Sequence, residues 1–255
     1  MSKEFLPTIL KQKEQEVAAM SYGELQSLRS TYSLYDYLKS HPQELQLIAE
    51  VKKASPSLGD INLGVDIVEQ ARTYEGCGAA MISVLTDEIF FKGHLDYLRE
   101  ISSQVTIPTL NKDFIIEEKQ IVRARNAGAT VILLIVAALP EKRLQELYEF
   151  ATGLGLEVLV ETHNLAELAI AHRIGAQIIG VNNRNLVTFE TDINTSLQLS
   201  AHFKDDRVYV SESAIFSKED AELVAPYFHA VLVGTALMQA EDVAEKIKEL
   251  KIDKG

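Results

Sequence analysis

The chain has 255 residues, of which 47% are hydrophobic and 24% charged, and this balance excludes a disordered, collagen-like or coiled-coil chain. Its 25 basic and 37 acidic residues give a net charge of −12, so we expect no general binding to nucleic acid or to an anionic membrane. The single cysteine, Cys77, cannot form an internal disulfide, which fits a reducing compartment.

Neither a membrane span nor a secretion signal is predicted. The longest apolar run, Val131 to Leu139, has nine residues, whereas a spanning helix needs about 20. Residues 1–20 carry charges throughout and lack the apolar region of a signal peptide. We therefore expect a cytoplasmic protein.

The first 45 residues precede the first predicted strand. They place scattered apolar residues among charges, which predicts one or two extra helices packed on the rest of the chain. No Pro/Gly-rich linker follows them. We therefore predict a single domain over residues 1–255, with a helical extension at 1–45 and the main body at 46–250.

Three stretches, at 75–84, 126–135 and 173–182, repeat one pattern in which Gly-Ala precedes a short apolar run. Glycine readily takes the left-handed conformation that ends a helix. A run of about five apolar residues indicates a strand buried on both faces. Each stretch is therefore predicted as a joint between a helix and a strand.

Extending this pattern along the chain gives eight strands whose starts lie roughly 20–35 residues apart, as an α/β repeat requires. Amphipathic helices are predicted between them, for example over 66–75, 140–152 and 164–174. Eight such units predict a (β/α)8 TIM barrel of the α/β class. A doubly wound open sheet is the alternative, but no G-x-G-x-x-G motif follows the first strand. The predicted strands are Leu47–Val51, Ala80–Leu85, Thr106–Leu110, Val131–Val136, Glu157–Glu161, Ile178–Asn182, Val208–Ser211 and Ala230–Gly234.

Polar side chains stand where most of these strands end, and the carboxyl ends of barrel strands meet around one opening. A lone Lys or Glu at a strand end is usually solvated or salt-bridged. Two Lys, one Arg and three Glu around one opening instead predict an active site. The residues are Glu50, Lys52, Lys112, Glu161, Asn182, Arg184 and Glu212.

The loops after the last two strands predict a phosphate site, because this fold commonly binds phosphate there. Glycine lets a backbone approach an anion closely, and a threonine adds a hydroxyl. The expected phosphate-binding residues are Ser213, Ala214, Gly234 and Thr235, with Ser55 and Ser57 able to close over the ligand.

Other chemistries have less support. The six histidines show no metal-ligand spacing, and neither a nucleophile elbow nor a Walker loop occurs. His163 is interpreted as a loop residue at a strand exit. We therefore expect neither a metal nor an organic cofactor.

The strand-end motifs together resemble those of indole-3-glycerol phosphate synthases. The resemblance extends over nearly the whole chain and includes the helical N-terminal extension. The segments K-x-S-P-S and N-N-R-N-L are its most diagnostic parts. The motifs are I-A-E-V-K-K-A-S-P-S (48–57), N-K-D-F-I (111–115), L-V-E-T-H (159–163), I-G-V-N-N-R-N-L (179–186), V-S-E-S-A-I (210–215) and V-G-T-A-L-M (233–238).

The resemblance implies closure of a pyrrole ring on 1-(2-carboxyphenylamino)-1-deoxyribulose 5-phosphate, with loss of carbon dioxide and water. By this resemblance, Lys112 is the leading general acid and Glu161 the later acid or base. Glu50 and Asn182 orient and stabilise intermediates. Proton transfer by such groups typically contributes about 10²–10⁴-fold in rate.

The resemblance also implies that Lys52 and Arg184 offer positive charge to the substrate carboxylate, a task that suits the fork of an arginine. Lys52 is an alternative holder of part of the acid role. Phe91 and Leu133 are expected to enclose the anthranilate ring, and Glu212 completes the polar rim. The expected partners are a small phosphorylated substrate and, in loose association, other tryptophan-pathway enzymes.

Two positions depart from the family pattern. Ala214 stands where a glycine is usual, and a positive φ at this position would strain an alanine. Asn111 stands before Lys112, where Arg or an apolar residue is usual. Because it alternates away from Lys112, we expect little effect on the chemistry.

Two other functions remain as alternatives. One is another phosphate-binding barrel enzyme, such as an aldolase that forms a Schiff base through Lys112. The other is a barrel without catalytic activity that serves as a binding or assembly module.

Overall fold

In a computed structural model, which describes residues 5–55, 59–60 and 64–255, eight parallel strands close into a barrel. Each strand pairs with the strands before and after it in the chain, and the first pairs with the last. The barrel strands are β1 (Gln46–Val51), β2 (Met81–Leu85), β3 (Thr109–Lys112), β4 (Val131–Ile135), β5 (Glu157–Thr162), β6 (Ile178–Asn182), β7 (Val208–Glu212) and β8 (Ala230–Val233). The predicted (β/α)8 TIM barrel is confirmed.

Helices alternate with these strands and cover the barrel. A short antiparallel hairpin, Ala54–Ser55 with Gly59–Asp60, follows β1, and a 3-10 turn, Val136–Ala138, follows β4. Within the described residues, no helix combines the length and the apolar character needed to cross a bilayer. The helices are α1 (Phe5–Ala19), α2 (Leu34–Ser40), α3 (Ile67–Gly76), α4 (Glu88–Phe91), α5 (Leu95–Ser102), α6 (Glu118–Asn126), α7 (Glu141–Gly153), α8 (Leu165–Arg173), α9 (Asn194–Ser200), α10 (Lys218–Val224), α11 (Thr235–Met238) and α12 (Val243–Leu250).

The three predicted helix-to-strand joints are confirmed. Gly78, Gly128 and Gly175 have φ values of 86°, 96° and 78°. Such angles are accessible to glycine and costly for residues with a Cβ. Each joint therefore ends a helix and turns the chain directly into the next buried strand.

The third strand was predicted three residues too early. It occupies Thr109–Lys112 rather than Thr106–Leu110. Pro108 has no N–H to offer to a ladder, and the N–H groups of the two residues before it donate to the carboxylate of Glu75 at 2.7 and 3.3 Å. The strand therefore starts after the proline, and Lys112 becomes its last residue.

Side chains along each strand alternate between the barrel interior and the surrounding helices. On β5, Leu159 belongs to the interior cluster, whereas Val158 and Val160 belong to the layer between barrel and helices. The next interior position after Leu159 is Glu161. A polar residue at the end of an apolar interior row is thus carried to the mouth of the barrel.

Helix α1 of the N-terminal extension packs at the carboxyl end of the barrel. Ile9 joins the interior cluster there. Lys13 is 2% exposed and pairs with Asp87 and Asp113, both at 2.8 Å. These aspartates follow β2 and β3. Burial by itself would lower the pKa of Lys13, but the two carboxylates outweigh it and keep the ammonium charged.

Helix α2 packs at the amino end. Leu34 and Leu38 join the interior cluster. Glu157, the first residue of β5, accepts hydrogen bonds from the backbone of Leu34 and Tyr35 at 2.6 and 2.8 Å and from the Ser33 hydroxyl at 3.0 Å. The two helices of the extension therefore pack at opposite ends of the barrel.

Candidate active site

A pocket opens at the carboxyl end of the barrel. Thirteen of the fifteen residues predicted for the site line it. The N-terminal extension contributes Phe5 to its wall. The predicted residues found there are Glu50, Lys52, Phe91, Lys112, Leu133, Glu161, Asn182, Arg184, Glu212, Ser213, Ala214, Gly234 and Thr235.

Lys112 lies between two glutamates from other strands. Its Nζ donates to Oε2 of Glu212 and lies 3.4 Å from Oε2 of Glu161. Burial would lower the pKa of this ammonium, but the charges of Glu212, Glu161 and Glu50 outweigh burial and raise it. Lys112 therefore stays protonated in the pocket.

The two glutamates that flank Lys112 have opposite tendencies. Burial opposes the ionisation of Glu161, yet Lys112, His163 and a hydrogen bond from Asn182 lower its pKa to about 2. Burial raises the pKa of Glu212 to about 7, with a further rise from the charge of Glu161, against the opposing attraction of Lys112. Glu161 is therefore a carboxylate at neutral pH, whereas Glu212 titrates there.

The unequal hydrogen bonding of Glu212 fits this difference. Its Oε1 is buried and has no hydrogen-bond partner among the described residues. A Cβ built on Gly180 of β6 would overlap this oxygen. Glycine at position 180 therefore leaves the room that the Glu212 carboxyl occupies.

A second ion pair follows β1. Lys52 Nζ lies 2.9 Å from Oε1 of Glu50. A Cβ on Gly234, just after β8, would overlap that oxygen and would lie 2.8 Å from Lys52 Nζ. The glycine thus makes space for the pair, beyond any part it has in the phosphate site.

The segment after β6 is held by its own amides. Asn182 accepts the N–H of Arg184 at 3.0 Å, and Arg184 Nη1 donates to the carbonyl of Phe189 at 2.9 Å. The buried Asn183 donates to the carbonyl of Ser213 at 3.1 Å. Asn183 therefore connects the loops after β6 and β7, a structural task that the sequence analysis did not assign.

The loop after β7 has an unusual backbone. Ser213 and Ala214 have φ values of 63° and 60°, both in the left-handed region. The conditional expectation of strain at Ala214 is thus met, since this region costs a residue with a Cβ about 1–2 kcal/mol. Ser55 pairs with Gly59 in the hairpin, and Ser57 lies outside the described residues, so their part in the site stays a prediction.

An apolar wall faces the charged groups. Phe91 ends α4, and Leu133 belongs to the interior row of β4. Phe91 packs against Phe114, with ring centroids 6.1 Å apart. Asp87, which pairs with Lys13, also accepts the backbone N–H of Phe91 at 3.2 Å. The helix that carries Phe91 is therefore tied to the N-terminal extension.

His163 was interpreted as a loop residue at the strand exit, and the structure gives it closer contacts than that. Its Nε2 lies 3.2 Å from Oε1 of Glu161, and its Nδ1 lies 2.9 Å from Oε2 of Glu167. The spacing Glu-x-His at the end of a strand was the available signal. The described residues contain no group of three His, Cys, Asp or Glu side chains arranged to hold a metal ion.

Comparison with known proteins shows which sequences and folds this chain resembles. A protein of Streptococcus sanguinis named indole-3-glycerol phosphate synthase is 96% identical over 255 residues, covering all of both chains, and one of Streptococcus gordonii with the same name is 92% identical over the same span. A solved 3-hexulose-6-phosphate synthase from Salmonella typhimurium matches 81% of this chain and 96% of its own, with a TM-score of 0.62 at 15% identity, and supports the fold alone.

The closed barrel and the ionised pocket at its carboxyl end define a (β/α)8-barrel enzyme. The model of the indole-3-glycerol phosphate synthase family matches residues 6–250. The chain belongs to that family.

Proposed function

We propose that the carboxyl-end pocket carries out the reaction of the family to which the chain belongs. Indole-3-glycerol phosphate synthase is a carboxy-lyase of tryptophan biosynthesis. It closes the pyrrole ring of 1-(2-carboxyphenylamino)-1-deoxyribulose 5-phosphate with loss of carbon dioxide and water. The observation that carries the proposal is the buried lysine between two glutamates, Lys112 with Glu161 and Glu212.

Lys112 is the general acid of the first step. Ring closure requires a proton on the ribulose carbonyl oxygen as the anthranilate ring carbon attacks the carbonyl carbon. The ammonium is held charged by its carboxylate neighbours, and a carbonyl oxygen that displaces one of them would accept its proton. Lys52, paired with Glu50 at 2.9 Å, is less enclosed by negative charge and serves better as a binding cation.

Glu161 is the base of the dehydration step. Its low pKa keeps it ionised, so the carboxylate is able to accept the proton that leaves the methylene carbon next to the nitrogen. Glu50 and Asn182 hold the lysines and Glu161 in place. This division of roles follows from environments that push the pKa values of two nearby carboxyls apart.

The roles of the remaining pocket residues follow from their charge and polarity. Lys52 and Arg184 hold the substrate carboxylate until it leaves, and Phe91 and Leu133 enclose the aromatic ring. The loops after β7 and β8 hold the phosphate. Ser213 and Ala214, whose φ values are positive, turn the backbone of the loop after β7. Loose association with other enzymes of the pathway and a cytoplasmic location remain predictions.

The direct test is a fluorescence assay for indole formation from the carboxyphenylamino-deoxyribulose phosphate. We expect turnover by the wild-type protein and its loss in the Lys112→Ala variant, which circular dichroism should show to be folded. Absence of turnover at micromolar wild-type enzyme would favour the non-catalytic barrel.

The aldolase alternative requires Lys112 as an uncharged amine. Its raised pKa opposes that state. Borohydride added with a keto-sugar phosphate is therefore expected to leave the protein mass unchanged. A stable mass increase that disappears in Lys112→Ala would favour the aldolase.

A further inference from the structure

The proposed reaction leaves the enzyme short of one proton per turnover. The substrate carboxylate departs as neutral carbon dioxide, and the carbonyl oxygen departs as water. One hydrogen of that water is balanced by the proton lost from the methylene carbon. The other must enter the pocket from outside, and Lys112 stays uncharged until it does.

The pocket itself offers this proton a poor route. Glu161 and Glu212 are 2% and 1% exposed, and the side chain of Lys112 is 13% exposed. A bound substrate or product shields these three side chains still more from the solvent at the mouth of the barrel. A route from another direction would recharge the site while the mouth is occupied.

His163 lies beside Glu161 but outside the lining of the reaction pocket. It contacts Oε1 of Glu161, whereas Lys112 contacts Oε2. The Nε2 atom of His163 is buried and lacks an aligned hydrogen-bond acceptor among the described residues, so its 3.2 Å contact with Glu161 is an ion pair without a well-directed hydrogen bond. The proton on Nε2 is therefore near Glu161 and not committed to another acceptor.

Glu167 fixes the ring from the other side. Its Oε2 contacts His163 Nδ1 at 2.9 Å and also accepts the backbone N–H of His163 at 2.9 Å. Its Oε1 accepts the side-chain N–H of Asn164 at 2.7 Å. Burial alone would lower the pKa of His163, but Glu161 and Glu167 raise it to about 10. The resting ring is therefore an imidazolium.

The ring also lies between two cavities. Glu161 lines the reaction pocket, whereas His163 and Glu167 line a second cavity of about 600 Å³. Asn182 and Arg184 line both, so the cavities are neighbours. The second cavity has both polar and apolar walls, and it has space for several water molecules.

We propose that His163 relays protons from the second cavity to Glu161, and so recharges the acid that ring closure has used. The imidazolium gives its Nε2 proton to Oε1 of Glu161. The Glu161 carboxyl then turns about its Cγ–Cδ bond, so that the oxygen holding this proton faces Lys112, and gives the proton to the uncharged amine. The neutral imidazole, no longer held by charge, then turns about its Cβ–Cγ bond so that Nε2 faces the second cavity, takes a replacement proton from water there and turns back. The proposal rests on the proposed function.

A His163→Gln variant tests the relay, because glutamine can donate to Glu161 but cannot pass on a proton. The first turnover uses the proton already on Lys112, so with enzyme in excess it should run within about threefold of the wild-type rate. Steady-state kcat should fall by at least about tenfold. Equal slowing of both phases would reduce His163 to a positioning residue, and an unchanged kcat would equally overturn the relay.

Imidazole supplies a second readout. In His163→Ala, added imidazole should restore kcat in a concentration-dependent way, and no restoration would contradict the relay. The matched control is His202→Gln, at an exposed turn after α9, which should leave both phases unchanged. If neither His163 variant folds, Glu167→Gln, which removes the charge behind the ring, should lower kcat more than the first-turnover rate, and equal slowing would again overturn the relay. Failure of the wild-type protein to form product would contradict the proposed function itself.

Discussion

Glu157 and Glu161 lie four residues apart on the same strand, at opposite ends of the barrel. Glu157 accepts three hydrogen bonds at the start of α2. Glu161 instead faces a lysine and a histidine, without an aligned hydrogen bond from the ring of His163. The same side chain thus fixes a helix at the amino end and lines the charged pocket at the carboxyl end, and we expect the strand to separate stability from chemistry in this way.

The largest expected effect lies at the carboxyl end. Lys112→Ala should lower kcat by about 10²–10⁴-fold, because the pocket loses its enclosed acid. Steady-state kinetics measures this, and circular dichroism checks that the fold persists. Turnover close to that of wild type would remove Lys112 from the acid role.

The two glutamates give the sharpest version of the comparison. Glu161→Gln should lower kcat by about 10²-fold or more and should also lower stability at neutral pH, because the folded protein stabilises this carboxylate beside Lys112 and His163. Glu157→Gln should leave kcat within about threefold and lower the free energy of unfolding by about 1–3 kcal/mol, because charge-assisted bonds to α2 are lost. Urea denaturation and kinetics on both variants measure this. A Glu157→Gln variant that loses activity as well as stability would contradict the separation.

The Glu212→Gln variant tests whether the raised pKa of Glu212 lowers the stability of the wild-type protein as pH rises. The pKa of Glu212 rises from 4.5 to about 7 on folding. In that interval the folded protein holds a proton that the unfolded chain has released, so wild-type stability falls as pH rises through it. Relative to wild type, Glu212→Gln should therefore gain on the order of 1–3 kcal/mol between about pH 5 and about pH 8.

Denaturation at the two pH values measures this gain. Glu161→Gln is the control, because a pKa lowered to about 2 changes wild-type stability only below the usual carboxyl range. A Glu212→Gln variant whose stability difference from wild type is constant with pH would contradict the assignment.

Arg184→Ala should raise KM by about tenfold, since one charge-assisted contact with the substrate carboxylate is worth about 1.4 kcal/mol or more. The readout is the dependence of rate on substrate concentration. An unchanged KM would place the carboxylate elsewhere in the pocket.

The smallest effect concerns the backbone after β7. Ala214→Gly should raise the free energy of unfolding by up to about 1 kcal/mol, because relief of the left-handed strain exceeds the entropy cost of glycine. Thermal or urea denaturation measures it, with Ala225→Gly in a right-handed conformation as the control that should lose stability. A less stable Ala214→Gly variant would show that the strain is already relieved in other ways.

Much of this arrangement follows from local rules. Period-two alternation and Gly-Ala joints predict the barrel and bring Glu50, Lys112 and Glu161 to one opening. The start of β3 was wrong because Pro108 and the capping of two N–H groups by Glu75 depend on a neighbouring helix. Whether the pKa of a pocket carboxyl is lowered or raised depends on side chains from neighbouring strands. Strand register, rather than sequence spacing, decides which side chains those are.

The contacts of the N-terminal extension were harder to predict from the sequence. Its helical character was predicted, but the pairing of Lys13 with Asp87 and Asp113 joins residues 74 and 100 positions apart. Nothing in the local pattern of α1 indicates which strand ends it meets. Long-range ion pairs of this kind become visible only when the barrel places two aspartates side by side.

Two positions in the pocket act through the side chain that they lack. Gly180 and Gly234 lie against the carboxyl oxygens of Glu212 and Glu50, where even a methyl group would displace the acid. A mutational scan scored by activity would therefore mark both as essential, although neither exchanges a proton nor carries a charge. To admit a larger substrate, the pocket would have to be enlarged at its apolar wall, because the polar wall has no free space beside these two glycines.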